Sequence, residues 1–297
     1  MVPLALLFWL VIEIGTYLAI GRLGLHADWP LALAGAIGCL LGLRAGINTT
    51  TWVFAIILGS PAKPMSSKAM LRMIAVEYLA FLRLFILTLP FERLWMPADR
   101  LRPCARPIVL VHGYGCSRGA WSSLRRRLEA AGHVVATVSL TPPVANLGKL
   151  EPQLKQRIEE VCAATGARRV TLIAHSMGGL VCRCYLARHG GSRVGKLITL
   201  STPHQGTALA RFGIGHNARE MEPGSLWLTD MAGEKPGVPC VSLRNPYDNF
   251  VMPQDLQKLP GARDVELPPS GHIAQLYDPA IAAIVIAECA NTGENNA

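Results

Sequence analysis

The apolar run Val170-Thr171-Leu172-Ile173 passes without a break into Ala174-His175-Ser176-Met177-Gly178-Gly179, a composition that few local structures can use. It suits a strand that turns sharply into a helix with a serine at the apex. At such an elbow the serine is held in a strained backbone conformation, and strand and helix nearly collide two residues to either side. Only small side chains fit at those flanking positions, and Ala174 and Gly178 are small. Ser176 is therefore the candidate nucleophile for acyl transfer.

Acyl transfer also needs backbone N–H groups aimed at a developing oxyanion. In a strand-elbow-helix layout one comes from the residue after the nucleophile and one from the loop after an early strand. Upstream, Pro107-Ile108-Val109-Leu110-Val111 reads as a short buried strand running into His112-Gly113-Tyr114-Gly115. The two donors are thus assigned to Tyr114 and Met177. Gly113 and Gly115 leave room for the backbone to approach a substrate closely.

The remaining partners are expected in the order acid, then histidine. Val238-Pro239-Cys240-Val241-Ser242-Leu243 reads as a strand, and Asp248 lies in the loop after it. A short strand, Asp264-Val265-Glu266-Leu267, precedes Pro268-Pro269-Ser270-Gly271-His272. Carboxyl ends of parallel strands are where an acid and an imidazole can meet. Of the eight histidines, His175 adjoins the nucleophile but should point away from it, and His112 serves a turn. His133 falls at a strand start, His189 near a helix end, and His26 in the apolar N-terminal part. His204 and His216 follow the next strand, where substrate contact or plain exposure suits them better. His272 alone combines order, strand-end position and a flanking glycine. Asp248 is preferred over Asp230 and Asp255 because it follows a strand more closely.

Residues from about 105 to 290 resemble the bacterial lipase and esterase branch of the α/β-hydrolase superfamily. Besides the elbow, Leu197-Ile198-Thr199-Leu200-Ser201-Thr202-Pro203-His204-Gln205-Gly206-Thr207 is similar to the strand and Thr-Pro-His-x-Gly-Thr signature of those lipases, and the spacing from Ser242 through Asp248 to Pro253 is similar to their acid loop. The family usually has glycine where this chain has Ala174. The resemblance implies a triad of Ser176, His272 and Asp248, an oxyanion hole of Tyr114 and Met177, and substrate contacts at His112, Gly113, His175 and His204. It implies hydrolysis of acyl-lipid esters with neither metal nor organic cofactor, since no ligand set here matches the structural calcium of some relatives. Thioesterases, amidases and acyltransferases share this superfamily, and a catalytically silent membrane module is the reading from another class.

Composition bears chiefly on the N-terminus. Pro3 to Ile20 carries Glu13 as its only charge, and Pro30 to Gly59 is interrupted by Arg44 alone. About twenty such residues span a bilayer, and Met1-Val2-Pro3 lacks the basic start of a cleaved signal peptide. Residues 1–62 are therefore expected to be a membrane anchor of two transmembrane helices, with membrane lipids as partners. Within the linker 63–103, Lys68 to Leu89 has Lys68, Arg72 and Arg83 on one side of a helix, which suits a helix lying in the interface or packing under the next domain, with a third crossing of the membrane as the alternative. Lys63, Lys68 and Arg72 after the second span favour a hairpin with both ends cytoplasmic, in a bacterial inner membrane.

The net charge of +9 is assigned to anionic lipid headgroups rather than nucleic acid, because no nucleic-acid module is recognisable. Arg125-Arg126-Arg127 is read as a solvated helix face. The eight cysteines are scattered and suggest no disulfide framework, and nothing bears on oligomeric state. Residues 104–290 are expected to be an α/β domain, a mostly parallel sheet with helices on both faces. Strands are predicted near 107–112, 134–140, 169–174, 195–200, 238–243 and 264–267, with helices near 118–131, 149–164, 178–189 and 279–290. Residues 205–235 are too long for a plain connection and are expected to form a cap, either a lid or an extra helical layer. A polar tail, 291–297, ends the chain.

Overall fold

The computed structural model describes residues 1–291, so nearly all of the polar tail lies outside the described residues. Two apolar helices come first: α1 (Val2–Ala19), continued by a π-helical turn to Gly24, and α2 (Trp29–Ile57). Asp28 starts α2 by accepting the Leu31 N–H, and Pro30 sits in the first turn, where its missing N–H costs nothing. Helix α3 (Ser67–Leu82) is capped by Ser66 and runs on through a π-helical segment to Thr88, followed by the single turn α4 (Glu92–Trp95).

Six parallel strands follow: β1 (Ile108–Val111), β2 (Val135–Val138), β3 (Val170–His175), β4 (Val194–Leu200), β5 (Cys240–Arg244) and β6 (Arg263–Glu266), in the spatial order β2-β1-β3-β4-β5-β6. Between them run α5 (Ser122–Ala130), α6 (Leu147–Thr165), α7 (Met177–His189) and the short α8 (His216–Glu220) and α9 (Leu226–Asp230); α10 (Pro279–Ala290) closes the fold. The strands read as unbroken apolar runs because both faces of the sheet are covered. Val109, Val111, Leu172 and Ala174 point into a core shared with α6 and α7, while Ile108, Leu110 and Ile173 join α5 and α10 on the other side. Alternation along β1 thus feeds two separate cores.

The N-terminal helices do not stand apart from this domain. Ala80, Phe81 and Leu84 enter the second core, so one face of the helix within residues 68–89 packs against the α/β domain. Trp52 and Ala55 of α2 cluster with Met73 of α3 and with Met252 of the loop after β5. Polar bonds reinforce the joint. Asn249 Nδ2 donates to Thr51 Oγ1 at 2.8 Å, the Ser60 N–H to Gln254 Oε1 at 2.7 Å, and the Tyr247 hydroxyl to the Lys63 carbonyl at 2.9 Å. A buried ion pair between Arg44 and Glu13 ties α2 to α1.

The expected solvated face at 125–127 needs correction. Arg126 and Arg127 are exposed, but Arg125 is buried, paired with Asp99 at 3.0 Å and Glu129 at 2.7 Å, and donates to the carbonyls of Pro97 and Ala98. Periodicity alone could not show that the chain before β1 folds back over this helix face.

Candidate active site

Ser176 stands between β3 and α7 with φ 53° and ψ −130°, in the left-handed half of backbone space that a non-glycine residue enters only under constraint. The constraint is visible on both sides. Its N–H donates to the Leu200 carbonyl at 2.9 Å, and its carbonyl accepts the Gly179 N–H at 3.0 Å. A Cβ on Gly178 would lie 2.4 Å from the Val111 carbonyl oxygen, and one on Gly113 would lie 2.9 Å from Ser176 Cβ. These two glycines let strand, loop and helix converge on the serine.

His272 and Asp248 follow β6 and β5, at the same carboxyl end of the parallel strands as Ser176. His272 Nδ1 is 2.7 Å from Asp248 Oδ2. Asp248 is fully buried, and its other oxygen accepts the N–H groups of Phe250 and Val251, each at 2.7 Å. A carboxylate so bound cannot turn away from the imidazole. The His272 N–H donates to Asn249 Oδ1 at 3.0 Å, so two neighbouring residues of one loop hold both ends of this histidine. Of the rival acids, Asp230 is exposed and Asp255 pairs with Lys258 at 2.7 Å.

Ser176 and His272 border one cavity of about 990 Å³, at the upper end of the range for small-molecule sites. No hydrogen bond joins Ser176 Oγ to the imidazole among the described residues; in unliganded sites this contact is often long and tightens with substrate. Met177 opens α7, so its N–H has no acceptor within the helix. Tyr114 borders the cavity, and its hydroxyl is tied to the cap through the carbonyl (2.7 Å) and N–H (2.9 Å) of Ile214. Residues 205–235 form a 3-10 turn (Ala208–Phe212) with α8 and α9, and Leu209, Phe212 and Met221 border the cavity.

Of the four expected substrate contacts, Gly113 and His175 border the cavity, whereas His112 and His204 do not. His112 is buried and accepts the Leu140 N–H at Nε2 (2.9 Å). His204 Nε2 lies 3.0 Å from Thr199 Oγ1, and its carbonyl accepts from Arg183 at 2.7 Å. The His112 ring thus holds a backbone N–H and the His204 ring a side-chain hydroxyl. Burial lowers the His112 imidazole to about 4 and holds His204 and His175 well below the usual range, so these three stay neutral near pH 7. His175 lies against His272, ring centroids 4.5 Å apart, with Nε2 3.1 Å from the His272 carbonyl.

One charged group at the site was not foreseen. Glu77 of α3 is fully buried, and its carboxyl accepts the N–H of Ile273 at 3.0 Å and that of Ala274 at 2.7 Å. A Cβ on Gly271 would lie 2.3 Å from it, so the loop carrying His272 lies directly against this carboxyl. Burial pushes the carboxyl up to about 7, against the two N–H donors and the nearby His272, with Asp248 adding to the rise. The available signal was that Glu77 is the only acid between Lys68 and Leu89 and falls on the stripe of Met73, Ala80, Phe81 and Leu84.

Among families of known proteins, that of the palmitoyl protein thioesterases matches residues 107–236. A triacylglycerol lipase of Pseudarthrobacter phenanthrenivorans is 34% identical over 123 residues, 39% of this chain and 38% of that protein. The mouse lysosomal thioesterase PPT2 is 32% identical over 127 residues, 41% of this chain and 42% of that one. The chain thus spans only about two fifths of the length of these relatives. The mature Bacillus licheniformis lipase BlEst2 superposes with a TM-score of 0.58 at 18% identity, over 66% of this chain and 96% of that one, a likeness of fold. The elbow, the strand order and the likeness to this lipase agree on an α/β-hydrolase-like fold.

Proposed function

We propose that this protein is a membrane-anchored serine hydrolase that cleaves carboxylic esters of acyl lipids. One observation carries the reading: a serine at a strained elbow shares an apolar cavity with an imidazole whose far nitrogen is fixed by a buried carboxylate. In the proposed reaction Ser176 Oγ attacks the ester carbonyl while His272 takes its proton at Nε2. Asp248 keeps Nδ1 protonated, which leaves Nε2 free as the base, and offsets the charge of the imidazolium. The N–H groups of Tyr114 and Met177 receive the oxyanion. His272 then returns the proton to the leaving alcohol, and water repeats the sequence on the acyl-enzyme. The neutral His112, His175 and His204 would not compete for that proton.

Two features support the membrane. The helical stretches Val2–Gly24 and Trp29–Ile57 are 23 and 29 residues long with mean hydropathy 2.0 and 1.7. Their large side chains are widely exposed, among them Phe8, Trp9, Leu31 and Ile37. Surface of that kind in water is unfavourable and calls for lipid. In this reading the hairpin sits in a bacterial inner membrane with the α/β domain on the cytoplasmic side. The match to a thioesterase family favours one second reading, thioester hydrolysis by the same residues.

The test is labelling of the detergent-solubilised protein with a fluorophosphonate, followed by assays on p-nitrophenyl esters and acyl thioesters. Wild type should label and turn over esters; Ser176→Ala should lose the label and about 10³-fold or more in kcat while keeping its melting temperature. Undiminished hydrolysis by that variant would sink the assignment. A clear preference for thioesters would favour the second reading.

A further inference from the structure

The cavity at Ser176 does not end at the α/β domain. Gly42, Gly46 and Thr50 recur every four residues along α2 and so share one helix face, and all three border the same cavity as Ser176 and His272. Phe54, one turn further, continues that wall. From Gly42 to Phe54 it runs about 18 Å at the rise of an α-helix. A Cβ on Gly42 or Gly46 would meet no atom within 4 Å, so these positions border open space rather than a packed neighbour.

The side chains around this space restrict what can occupy it. No Asp, Glu, Lys or Arg borders the cavity among the described residues. The mouth is apolar as well: Leu43 and Ile47 of α2 border the cavity yet are 46% and 42% exposed, and Phe212 of the cap, packed against Phe54 with tilted rings whose centroids are 5.2 Å apart, is 62% exposed. An opening rimmed by such residues is unsuited to a charged or strongly hydrated substrate. Its flank is α2 itself, which is long and apolar enough to lie in a bilayer. A long alkyl chain already in the membrane could therefore enter without first crossing water.

We propose that the Gly42 to Phe54 face of α2 is the acyl-chain wall of the active site, and that the substrate is a long-chain acyl lipid of the bilayer. Its chain enters sideways between α2 and the cap and brings the ester carbonyl to Ser176. This rests on the serine-hydrolase reading above. It gives α2 a part in substrate selection besides anchoring, with Gly42 and Gly46 setting the room for the chain.

The full-length protein in phospholipid nanodiscs supplies the test. An alkyl fluorophosphonate with a diazirine at the far end of a sixteen-carbon chain is reacted with it, irradiated and mapped by mass spectrometry. Crosslinks within residues 42–54 are expected on protein labelled at Ser176. Labelling at Ser176 with crosslinks confined to residues 104–290 would overturn the α2 assignment and leave the hydrolase reading standing. Absence of Ser176 labelling would instead remove the hydrolase reading and this inference with it. Independently, Gly46→Leu should lower the ratio of kcat/KM for hexadecanoyl over butanoyl p-nitrophenyl esters by about tenfold or more, with fluorophosphonate labelling reporting that the site is intact. A ratio unchanged from wild type, whether or not the oligomeric state moves, would mean that the small-residue face serves helix contact rather than the acyl chain.

Discussion

Glu77 places an ionisable group where no water reaches it, beside the loop that carries His272. Its carboxyl is pushed up to about 7 by burial, whereas an unfolded chain would release the proton near 4.5. The native state therefore holds that proton through a pH range in which the unfolded state has lost it. The stability linked to this group is complete below about 4.5 and fades as pH rises toward and through 7. Glu77→Gln keeps the shape and an acceptor oxygen but cannot titrate. Melting temperatures in detergent between pH 5 and pH 8 should fall more steeply for wild type than for this variant; parallel curves would show that the carboxyl does not titrate in that window. The contrast with the other candidates is instructive. Ser176, Asp248 and His272 are expected from the chain alone because each follows a strand-like run in the expected order. Glu77 meets its partners across 196 residues, and no local pattern records that distance.

At the scale of elements, the fold class and six strands were legible because two-sided burial writes continuous apolar runs into a sequence. The docking of α2 was not, since an apolar helix looks the same whether it faces lipid, protein or both. Thr51 marks the difference. It donates to the Asn48 carbonyl at 2.8 Å and accepts from Asn249, whose own Oδ1 holds the His272 N–H. One hydroxyl on a helix read as a membrane span thus reaches the candidate base through a single side chain. Thr51→Val preserves volume but strands the buried Asn249 amide, at a cost of about 1–3 kcal/mol. The melting temperature should fall accordingly and recover in Thr51→Ser. A Val variant as stable as wild type would mean that water or another acceptor satisfies Asn249.

For the whole molecule, the boundary expected at residue 62 separates two compositions but not two independent bodies. A plain anchor can be cut away to leave a soluble enzyme. Here removal of residues 1–62 would strip one wall from the cavity and uncover Met73 and Met252, which pack against Trp52, together with the Asn249 amide. The basic residues that follow the hairpin would survive the cut, so charge would still favour solubility, and the outcome turns on whether the exposed apolar surface dominates. Its extent argues that it does, because the core beneath α3 and the open cavity would share one face. The truncated chain should run as an aggregate in size-exclusion chromatography without detergent and label poorly with fluorophosphonate. A monodisperse fragment, reactive at Ser176 and with the chain-length profile of the full protein, would reduce α1 and α2 to a tether. In that case the α/β domain alone would hold the whole acyl site.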